Sequence, residues 1–130
     1  LVVDGFPRTV NQAESFISEY EEPILSMVFY CDPKKLKNRV LGRRYDPKTG
    51  KHYNISEGCI LQPEDHEDTS SLQQRDDDRE QILERRFIEY SIEIKPIIPV
   101  LREKTFYYEI DTGEPYGEII KKVKTIIESF

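Results

Sequence analysis

Residues 24–33 read ILSMVFYCDP, and this stretch decides the fold class. Its first eight residues have little polar interruption, which is typical of a strand buried on both faces of a parallel sheet. Asp32 and Pro33 then supply a helix cap followed by proline at the first helical position. We interpret Leu1 to Asp4 as the end of an earlier buried strand. The order strand, helix, strand, helix predicts a parallel α/β sheet.

The first helix of this order is short, and one more strand and a last helix extend the pattern. Thr9 is suited to cap a short helix that ends near Pro23, and residues 106–110 form a predicted strand that leads into a loop. The last helix is expected to bury one apolar side, formed by Ile119, Ile120, Val123, Ile126, Ile127 and Phe130.

A long helix is predicted over residues 75–104. Apolar residues recur there at steps of three and four and are expected to face the core: Leu83, Phe87, Tyr90, Ile94, Ile97 and Leu101. Pro96 and Pro99 are expected to kink or split this helix, because proline removes a backbone donor and crowds the preceding turn.

Between these regular parts, residues 43–74 lose periodicity. Residues 45–50 form a turn across which residues 51–55 can pair as a hairpin, and a polar stretch follows. A polar insertion of this length in a compact α/β domain is usually a lid or a binding loop. We therefore expect a core part over 1–42, a lid over 43–74 and a second core part over 75–130. Gly42 and Gly58 flank a polar segment of the lid region.

The charge distribution indicates what kind of ligand is bound. A net charge of −6 argues against general nucleic-acid binding, and no stretch is long and apolar enough to span a membrane. Seven of the nine arginines fall within residues 39–86, which points to compact phosphate recognition. Cys31 and Cys59, like His52 and His66, have no metal-ligand or redox spacing. Free thiols favour a reducing compartment, the cytoplasm or an organelle matrix.

The first candidate binding motif is DGFPRT at residues 4–9, with Gln12 three positions on. Ligands of open α/β sheets bind where strands end at their carboxyl edge. Gly5 allows close backbone approach, Arg8 offers a fork suited to a phosphate, and Gln12 offers a donor and an acceptor to a base. The alternative is an ordinary strand-to-helix turn whose Arg8 is solvated.

This motif and those after it resemble adenylate kinases of the nucleoside-monophosphate kinase family. The resemblance covers essentially all 130 residues in the family's order. The motifs that carry it are DGFPRT at 4–9, RVLGRR at 39–44, GKHY at 50–53, RDDD at 75–78, ERRFIEY at 84–90 and DTGEP at 111–115.

The resemblance implies a role for each matching position. Asp4 is implied near Mg²⁺, acting through water. The implied AMP-binding residues are Gly5, Phe6, Pro7, Arg8, Gln12, Arg75 and Arg86. The implied ATP-binding residues are Arg39, Arg43, His52, Tyr53 and the backbone of Glu114. Arg43, Arg75 and Arg86 are the implied catalytic residues, because they would grip the phosphates around the transferred group.

The residues themselves support the arginine roles only in part. On one helix, Arg75, Arg79 and Arg86 would lie nearly on one face. The alternative is a salt-bridged solvent face, because residues 76–78 are all aspartates. We favour that alternative for Arg79 and Arg85, and the motif match reverses it for Arg75 and Arg86.

Aspartates beside the lid region and the residues at its usual metal-ligand positions also bear on its structure. Asp77 and Asp78 fit two roles, fixing arginines and latching a closed lid or favouring a helix N-terminus through its dipole. Many lids of the family carry four metal ligands, largely cysteines. Tyr45, Asp46 and Lys48 occupy those positions here, so we expect a lid without structural zinc that is held by hydrogen bonds.

The family's glycine-rich phosphate loop with its lysine has no counterpart in these 130 residues, nor have the AMP-binding helices that follow it. The expected fold is therefore a P-loop NTPase-type parallel sheet with helices on both faces, truncated at its start, with a lid insertion. The implied function is reversible, Mg²⁺-dependent phosphoryl transfer from ATP to AMP in nucleotide biosynthesis. We expect a cytoplasmic monomer that binds ATP, AMP and ADP, without nucleic-acid or membrane partners. The alternatives are a GTP:AMP or UMP/CMP kinase, and a non-catalytic nucleotide-binding or interaction module.

We predict that the purified 130-residue chain alone has no kinase activity, because the lysine and backbone amides that neutralise ATP phosphates are absent from it. A coupled assay of ADP formation from ATP and AMP measures this. Steady turnover that persists after contaminating kinases have been removed would contradict the prediction.

Overall fold

A computed structural model describes residues 1–56 and 71–130. Four α-helices, four strands and one 3₁₀ turn lie in these ranges. In chain order they are α1 (Val10–Glu19), β1 (Leu25–Tyr30), α2 (Pro33–Leu41), β2 (Arg43–Tyr45), β3 (His52–Asn54), the 3₁₀ turn (Asp76–Asp78), α3 (Glu80–Lys104), β4 (Phe106–Asp111) and α4 (Tyr116–Ser129). Within the described ranges, none of the helices combines the length and apolar character that a membrane-spanning helix requires.

The chain divides into two compact units. Unit 1 comprises Leu1–Cys31 and Ile88–Phe130, and unit 2 comprises Asp32–Phe87. The predicted lid, residues 43–74, falls within unit 2 together with α2 and the start of α3. Gly58, Cys59 and His66 lie outside the described residues. That the segment acts as a lid stays a prediction.

Unit 1 is built on a parallel pair of strands. β1 pairs with β4 in a register that runs from Leu25 opposite Phe106 to Tyr30 opposite Asp111. Both strands were predicted, and the mixed α/β class with a parallel sheet is confirmed. The predicted full burial of β1 is wrong, since residues 25–28 are only partly buried and Phe29 and Tyr30 are about half exposed.

The strand predicted at Leu1 to Asp4 is wrong for the structure described. These four residues form no strand, and Leu1 and Val2 are each 94% exposed. The physical reason is that a strand requires backbone partners on a neighbouring strand. In the described part of the chain, β1 and β4 pair only with each other.

The core of unit 1 is a small apolar cluster between α1 and α3. Ala13, Ile97 and Leu101 are its buried members. Helix α1 begins as expected, since the Thr9 side chain accepts a hydrogen bond from the Gln12 backbone N–H at 3.1 Å. Partly buried side chains complete the cluster: Val10, Ile17, Val28, Val100 and Tyr107.

Helix α3 departs from its prediction in three ways. It begins at Glu80 and not at Arg75, because the 3₁₀ turn precedes it and Arg79 is extended. It is not split, since it continues through Pro96 and Pro99 as one helix, and the same region carries the buried Ile97 and Leu101. Its predicted apolar stripe is also interrupted, since one member, Tyr90, is 53% exposed.

Helix α4 was predicted correctly in position but not in every buried residue. Ile119, Ile120, Val123 and Ile126 are partly buried, whereas Ile127 and Phe130 are more than half exposed. Phe130 follows the last helical residue and contacts Phe106 edge to face at 5.5 Å. The helical periodicity therefore predicted the buried face of α4 correctly, but it also included two residues near the carboxyl end that are exposed.

Unit 2 contains the predicted hairpin. β2 and β3 pair antiparallel, with Arg44 opposite Tyr53. The buried Asp46 carboxylate closes the turn by accepting from the Lys48 backbone N–H at 2.9 Å and from the Thr49 hydroxyl at 3.1 Å. Gly50 has φ of 71°, a conformation that glycine adopts without strain.

Ile97→Ala is expected to reduce the free energy of unfolding by about 2–5 kcal/mol, because it opens a cavity in the cluster of unit 1. Ile92→Ala is the matched control, since it makes the same exchange in the same helix at an exposed position. The control should change stability by less than about 0.5 kcal/mol. Urea unfolding measures both, and equal midpoints for the two variants would contradict the assigned core.

Candidate functional site

The loop of residues 4–8 in unit 1 presents Arg8 and Gln12 from a single turn. Gly5 adopts φ of 72°, and the Arg8 Nε donates to the Gly5 carbonyl at 3.0 Å. The Arg8 backbone N–H donates to Gln12 Oε1 at 2.8 Å. Because Nε belongs to the turn, a phosphate bound by Arg8 would be held through its two Nη groups. The structure therefore brings Arg8 and Gln12 together.

Gln12 also has a structural function that the sequence reasoning missed. Its side-chain carbonyl closes the start of α1, while its own N–H is capped by Thr9. The carboxamide nitrogen is the part of Gln12 that remains to donate to a base. The signal that could have revealed this was the Thr9–Gln12 spacing, which is that of a capping box.

An aromatic row supports the same loop. The rings of Phe6 and Phe16 meet at 5.5 Å between centroids, and those of Phe16 and Tyr20 at 4.5 Å. Aromatic pairs at these separations are attractive beyond their buried area. Phe6 and its neighbour Pro7, joined by a cis peptide, are thus held by α1.

The loop that carries Glu114 in unit 1 is held from both ends. Thr112 donates to the Tyr30 carbonyl through its N–H at 2.7 Å and its hydroxyl at 2.9 Å. The Glu114 carboxylate accepts from Lys122 Nζ at 2.6 Å, and this hydrogen bond raises the pKa of Lys122. The backbone of Glu114 therefore lies on a loop at the carboxyl end of β4 that these hydrogen bonds hold in place.

A cationic cleft lies in unit 2. It is lined by Arg43, Arg44, His52, Tyr53, Asn54, Arg75 and Asp78. Four of these were named from the sequence as nucleotide-binding residues: Arg43, His52, Tyr53 and Arg75. Arg44, Asn54 and Asp78 are additional lining residues that the sequence reasoning did not assign to the site.

Asp78 holds the Arg43 guanidinium in a two-pronged ion pair. Its side chain has 0% exposure, and its carboxylate accepts from Arg43 Nε at 3.1 Å and from Arg43 Nη2. A buried carboxylate must be paired, and a guanidinium matches both of its oxygens. The structure thus shows Asp78 fixing an arginine, which is one of two compatible roles, and Asp78 lies in the 3₁₀ turn two positions before the first residue of α3.

Arg75 and Arg86 both approach Asp77, but not from one helix face. Arg75 is extended (φ −68°, ψ 146°), so the predicted helical alignment of Arg75, Arg79 and Arg86 is wrong. Arg75 Nη2 lies 3.8 Å from the Asp77 carboxylate, and Arg86 Nη1 donates to the Asp77 carbonyl at 3.2 Å. Arg79 forms an exposed ion pair with Asp76, as favoured from the sequence.

Two residues of α2 connect this helix to the hairpin and to α3. Arg39 lies in the last turn of α2, and its carbonyl accepts from Asn54 Nδ2 at 2.8 Å. Lys37 Nζ lies 2.6 Å from Glu80 and 3.0 Å from Glu84, and these two carboxylates raise the pKa of Lys37. The exposed Lys37 pairs tie α2 to the first turns of α3.

Asp4 is the residue implied to lie near Mg²⁺, and its surroundings decide whether it could contact the ion directly or through water. Among residues 1–56 and 71–130, no three His, Cys, Asp or Glu side chains form a group that could hold a metal ion. Asp4 is exposed at the start of the Gly5 turn. Mg²⁺ in nucleotide sites keeps several waters and takes one or two carboxylates plus phosphate oxygens, so a lone Asp4 is compatible with contact through water.

Comparison with curated proteins finds adenylate kinases. The chain is 33% identical to that of Hydrogenobaculum sp. (strain Y04AAS1) over 97% of its own length and 62% of the relative's. It is 31% identical to that of Exiguobacterium sibiricum (97% and 61%) and 29% identical to that of Thermococcus kodakarensis (98% and 59%). No family model matches the chain. The resemblance is confirmed along nearly the whole chain, which spans about three fifths of the relatives' length.

Asp78→Asn is expected to reduce the free energy of unfolding by about 1.5–3 kcal/mol, because it removes the charge of a buried carboxylate that is doubly bonded to the partly exposed Arg43. Asp77→Asn is the matched control, since that neighbouring side chain is exposed and its ion-pair distance is long. The control should stay within about 0.5 kcal/mol. Urea unfolding distinguishes them, and similar small effects for both would show that the Arg43–Asp78 pair does not hold unit 2 together.

Proposed function

We propose, from this kinship with adenylate kinases, that the chain supplies acceptor-binding and donor-binding residues for reversible phosphoryl transfer between MgATP and AMP, which gives two ADP. The observation that carries the proposal is the cationic cleft of unit 2, where Arg43, Arg44 and Arg75 surround one space beside His52 and Tyr53. Arginine guanidinium groups match phosphate oxygens in pairs, and their grouping in an acidic chain favours a compact polyphosphate ligand.

On the acceptor side, Arg8 is proposed to bind the AMP phosphate and Gln12 the adenine. The turn formed by Gly5 and Arg8 orients the guanidinium before ligand arrives. Since Gln12 Oε1 is already bonded to the Arg8 N–H, its carboxamide nitrogen is proposed as the donor to a ring nitrogen of the base. Phe6 and Pro7 would contribute the rigid wall of this site.

On the donor side, Arg39 is proposed to pack against the ATP adenine, with His52 and Tyr53 lining the same nucleotide. The Glu114 backbone would contact the base from its loop in unit 1. The Lys122–Glu114 ion pair supports this assignment, because it orders the loop without using the backbone groups of Glu114.

Phosphoryl transfer requires positioning and dispersed positive charge more than covalent help from the protein. An AMP phosphate oxygen forms the new P–O bond while the bond between the γ-phosphorus and the β–γ bridging oxygen breaks, so that ADP leaves. Arg43, Arg75 and Arg86 are proposed to hold the negative charge spread over the transferred group. Mg²⁺, when bound with ATP, would supply further charge neutralisation, with Asp4 near it through water.

Preorganisation supports the catalytic assignment. Asp78 restrains Arg43 through two hydrogen bonds, and the Asp77 carbonyl accepts from Arg86. The ion pair of Arg75 with the Asp77 carboxylate is long and exposed. Donors that are already restrained need little reorganisation when charge develops, which is the condition under which they stabilise a transition state strongly. We further propose a cytoplasmic monomer as the setting of this activity.

Arg86→Ala in the complete protein should lower kcat by about a hundred- to a thousandfold, because a preorganised donor to the transferring group is lost. Thermal stability should change little, since the Arg86 contact to the Asp77 carbonyl is exposed. Arg86→Lys should recover little activity, because a point charge does not reproduce the guanidinium fork. Steady-state kinetics with ATP and AMP, together with thermal unfolding, measure these effects.

Arg85→Ala is the matched control for that experiment. It removes an adjacent exposed arginine of the same helix to which no catalytic role is assigned, and it should leave kcat near the unsubstituted value. Near-normal turnover of Arg86→Ala, or a loss that parallels unfolding, would make Arg86 a structural residue.

Higher kcat/KM with GTP as donor, or with UMP or CMP as acceptor, would replace the ATP and AMP assignment. Nucleotide binding without turnover in the complete protein would favour a non-catalytic module.

A further inference from the structure

The carboxyl end of α2 is closed by side chains from the hairpin and the segment after it. The last carbonyls of a helix lack partners within the helix and must find them elsewhere. Here the Arg39 carbonyl accepts from Asn54 Nδ2 at 2.8 Å. The Asn38 carbonyl accepts from the Gly42 N–H at 3.0 Å and also from Ser56 Oγ at 2.8 Å. The Leu41 carbonyl accepts from Arg44 Nη1 at 2.7 Å. The helix end and the hairpin are thus joined by three side-chain bonds.

Asn54 and Ser56 are also joined to each other and to the backbone at Gly42. Asn54 Oδ1 accepts from the Ser56 N–H at 2.8 Å, and the Ile55 N–H donates to the Gly42 carbonyl at 2.9 Å. The Asn54 carboxamide therefore uses its nitrogen and its oxygen at the same time. This orients both side chains against the end of α2.

Gly42 allows this close approach. It is buried and has an ordinary right-handed conformation, with φ of −81°. A Cβ at this position would collide with Ser56 Oγ and Asn54 Oδ1, the two atoms that make these bonds. Gly42 was predicted only to flank the polar segment, and the physical reason for glycine at this position is the close approach of Asn54 and Ser56.

We propose that the last turn of α2 and the hairpin β2–β3 form one rigid platform, in which Asn54 and Ser56 are positioning residues that fix Arg39 relative to Arg43, His52 and Tyr53. The proposal rests on the donor-side assignment under Proposed function. Arg39 lies on the helix, whereas the other three lie on the hairpin across Gly42. The bonds from Asn54 and Ser56, together with the bond from Arg44 to the Leu41 carbonyl, hold this geometry across the backbone at Gly42.

The consequence for nucleotide binding is that the donor residues of unit 2 keep their mutual geometry before ATP arrives. Any movement of the hairpin carries Arg39 with it. A ligand that meets a preformed arrangement loses less affinity to ordering of the protein. Ser56 does not line the cleft and should therefore influence ATP affinity through Arg39, whereas Asn54 also lines the cleft.

A double-substitution cycle in the complete protein tests the proposal. Ser56→Ala and Arg39→Ala are made separately and together, and MgATP and AMP affinities are measured by calorimetry well below the unfolding temperature. Ser56→Ala should weaken MgATP binding roughly three- to tenfold when Arg39 is present, and should have no further effect when Arg39 is absent, as for two residues that act as a unit. AMP affinity should stay unchanged in Ser56→Ala.

Two further variants control for effects on folding. Ser56→Thr keeps the hydroxyl donor and should restore MgATP affinity. Lys48→Ala alters the exposed tip of the hairpin, away from the α2 carbonyls, and should leave both affinities unchanged. Additive effects of Ser56→Ala and Arg39→Ala would overturn the proposal, as would an equal loss of AMP and MgATP affinity, because each indicates a general role in stability.

Hydrogen exchange at the Ile55 amide separates this proposal from the donor assignment. In Ser56→Ala that amide should exchange at least about tenfold faster, because its bond to the Gly42 carbonyl belongs to the platform. If Arg39→Ala leaves MgATP affinity unchanged, the donor role of Arg39 is wrong, and faster exchange at Ile55 would still support the rigid platform. Unchanged exchange at Ile55 in Ser56→Ala would overturn the platform whatever the affinities are.

Discussion

A carboxylate without solvent contact needs a compensating charge, and in unit 2 that requirement is met by Arg43 at Asp78. The pair joins two segments that are 35 positions apart in the chain. It also explains the interrupted start of α3, because the 3₁₀ turn is what carries Asp78 to β2 while Arg75 remains extended. Much of the local geometry of unit 2 depends on this one buried charge.

The same principle of satisfying polar groups operates at the end of α2. Backbone carbonyls of Asn38, Arg39 and Leu41 receive side-chain donors, and the buried Asp46 carboxylate closes the hairpin turn. Unit 1 is different, because its described core is the apolar cluster of Ala13, Ile97 and Leu101. A polar framework suits a unit that presents cations, since each restrained guanidinium is already oriented when an anion binds.

Restraint of arginine side chains also explains how an acidic chain would accommodate the proposed phosphate site. The chain has more carboxylates than cationic side chains. The Asp78 carboxylate beside the proposed site is bonded to Arg43, so it orients an arginine as well as repelling a bound phosphate. Asp78 engages Arg43 from one side only, and Arg86 is held through a backbone carbonyl that carries no net charge. The Gly5 turn in unit 1 follows the same pattern, because a carbonyl orients Arg8.

The sequence by itself determined the features whose causes are local. Thr9 and Asp32 cap their helices, the turn at Asp46 forms the hairpin, and both strands of the parallel pair lie where apolar runs indicated. Family motifs likewise identified the relatives, since a motif is a local pattern. These are decided by contacts within a few residues, which a linear pattern contains.

Only the tertiary structure decided which side chains meet across elements. Periodicity could not show that Tyr90 is exposed, because burial depends on what covers a helix face. It could not show that residues 1–4 form no strand, because pairing requires a neighbour. The partners of Arg43, and the carbonyls bonded by Asn54 and Ser56, lie on other elements. Their distances are fixed by packing and by the need to satisfy buried polar groups, and neither is visible in the spacing of residues along the chain.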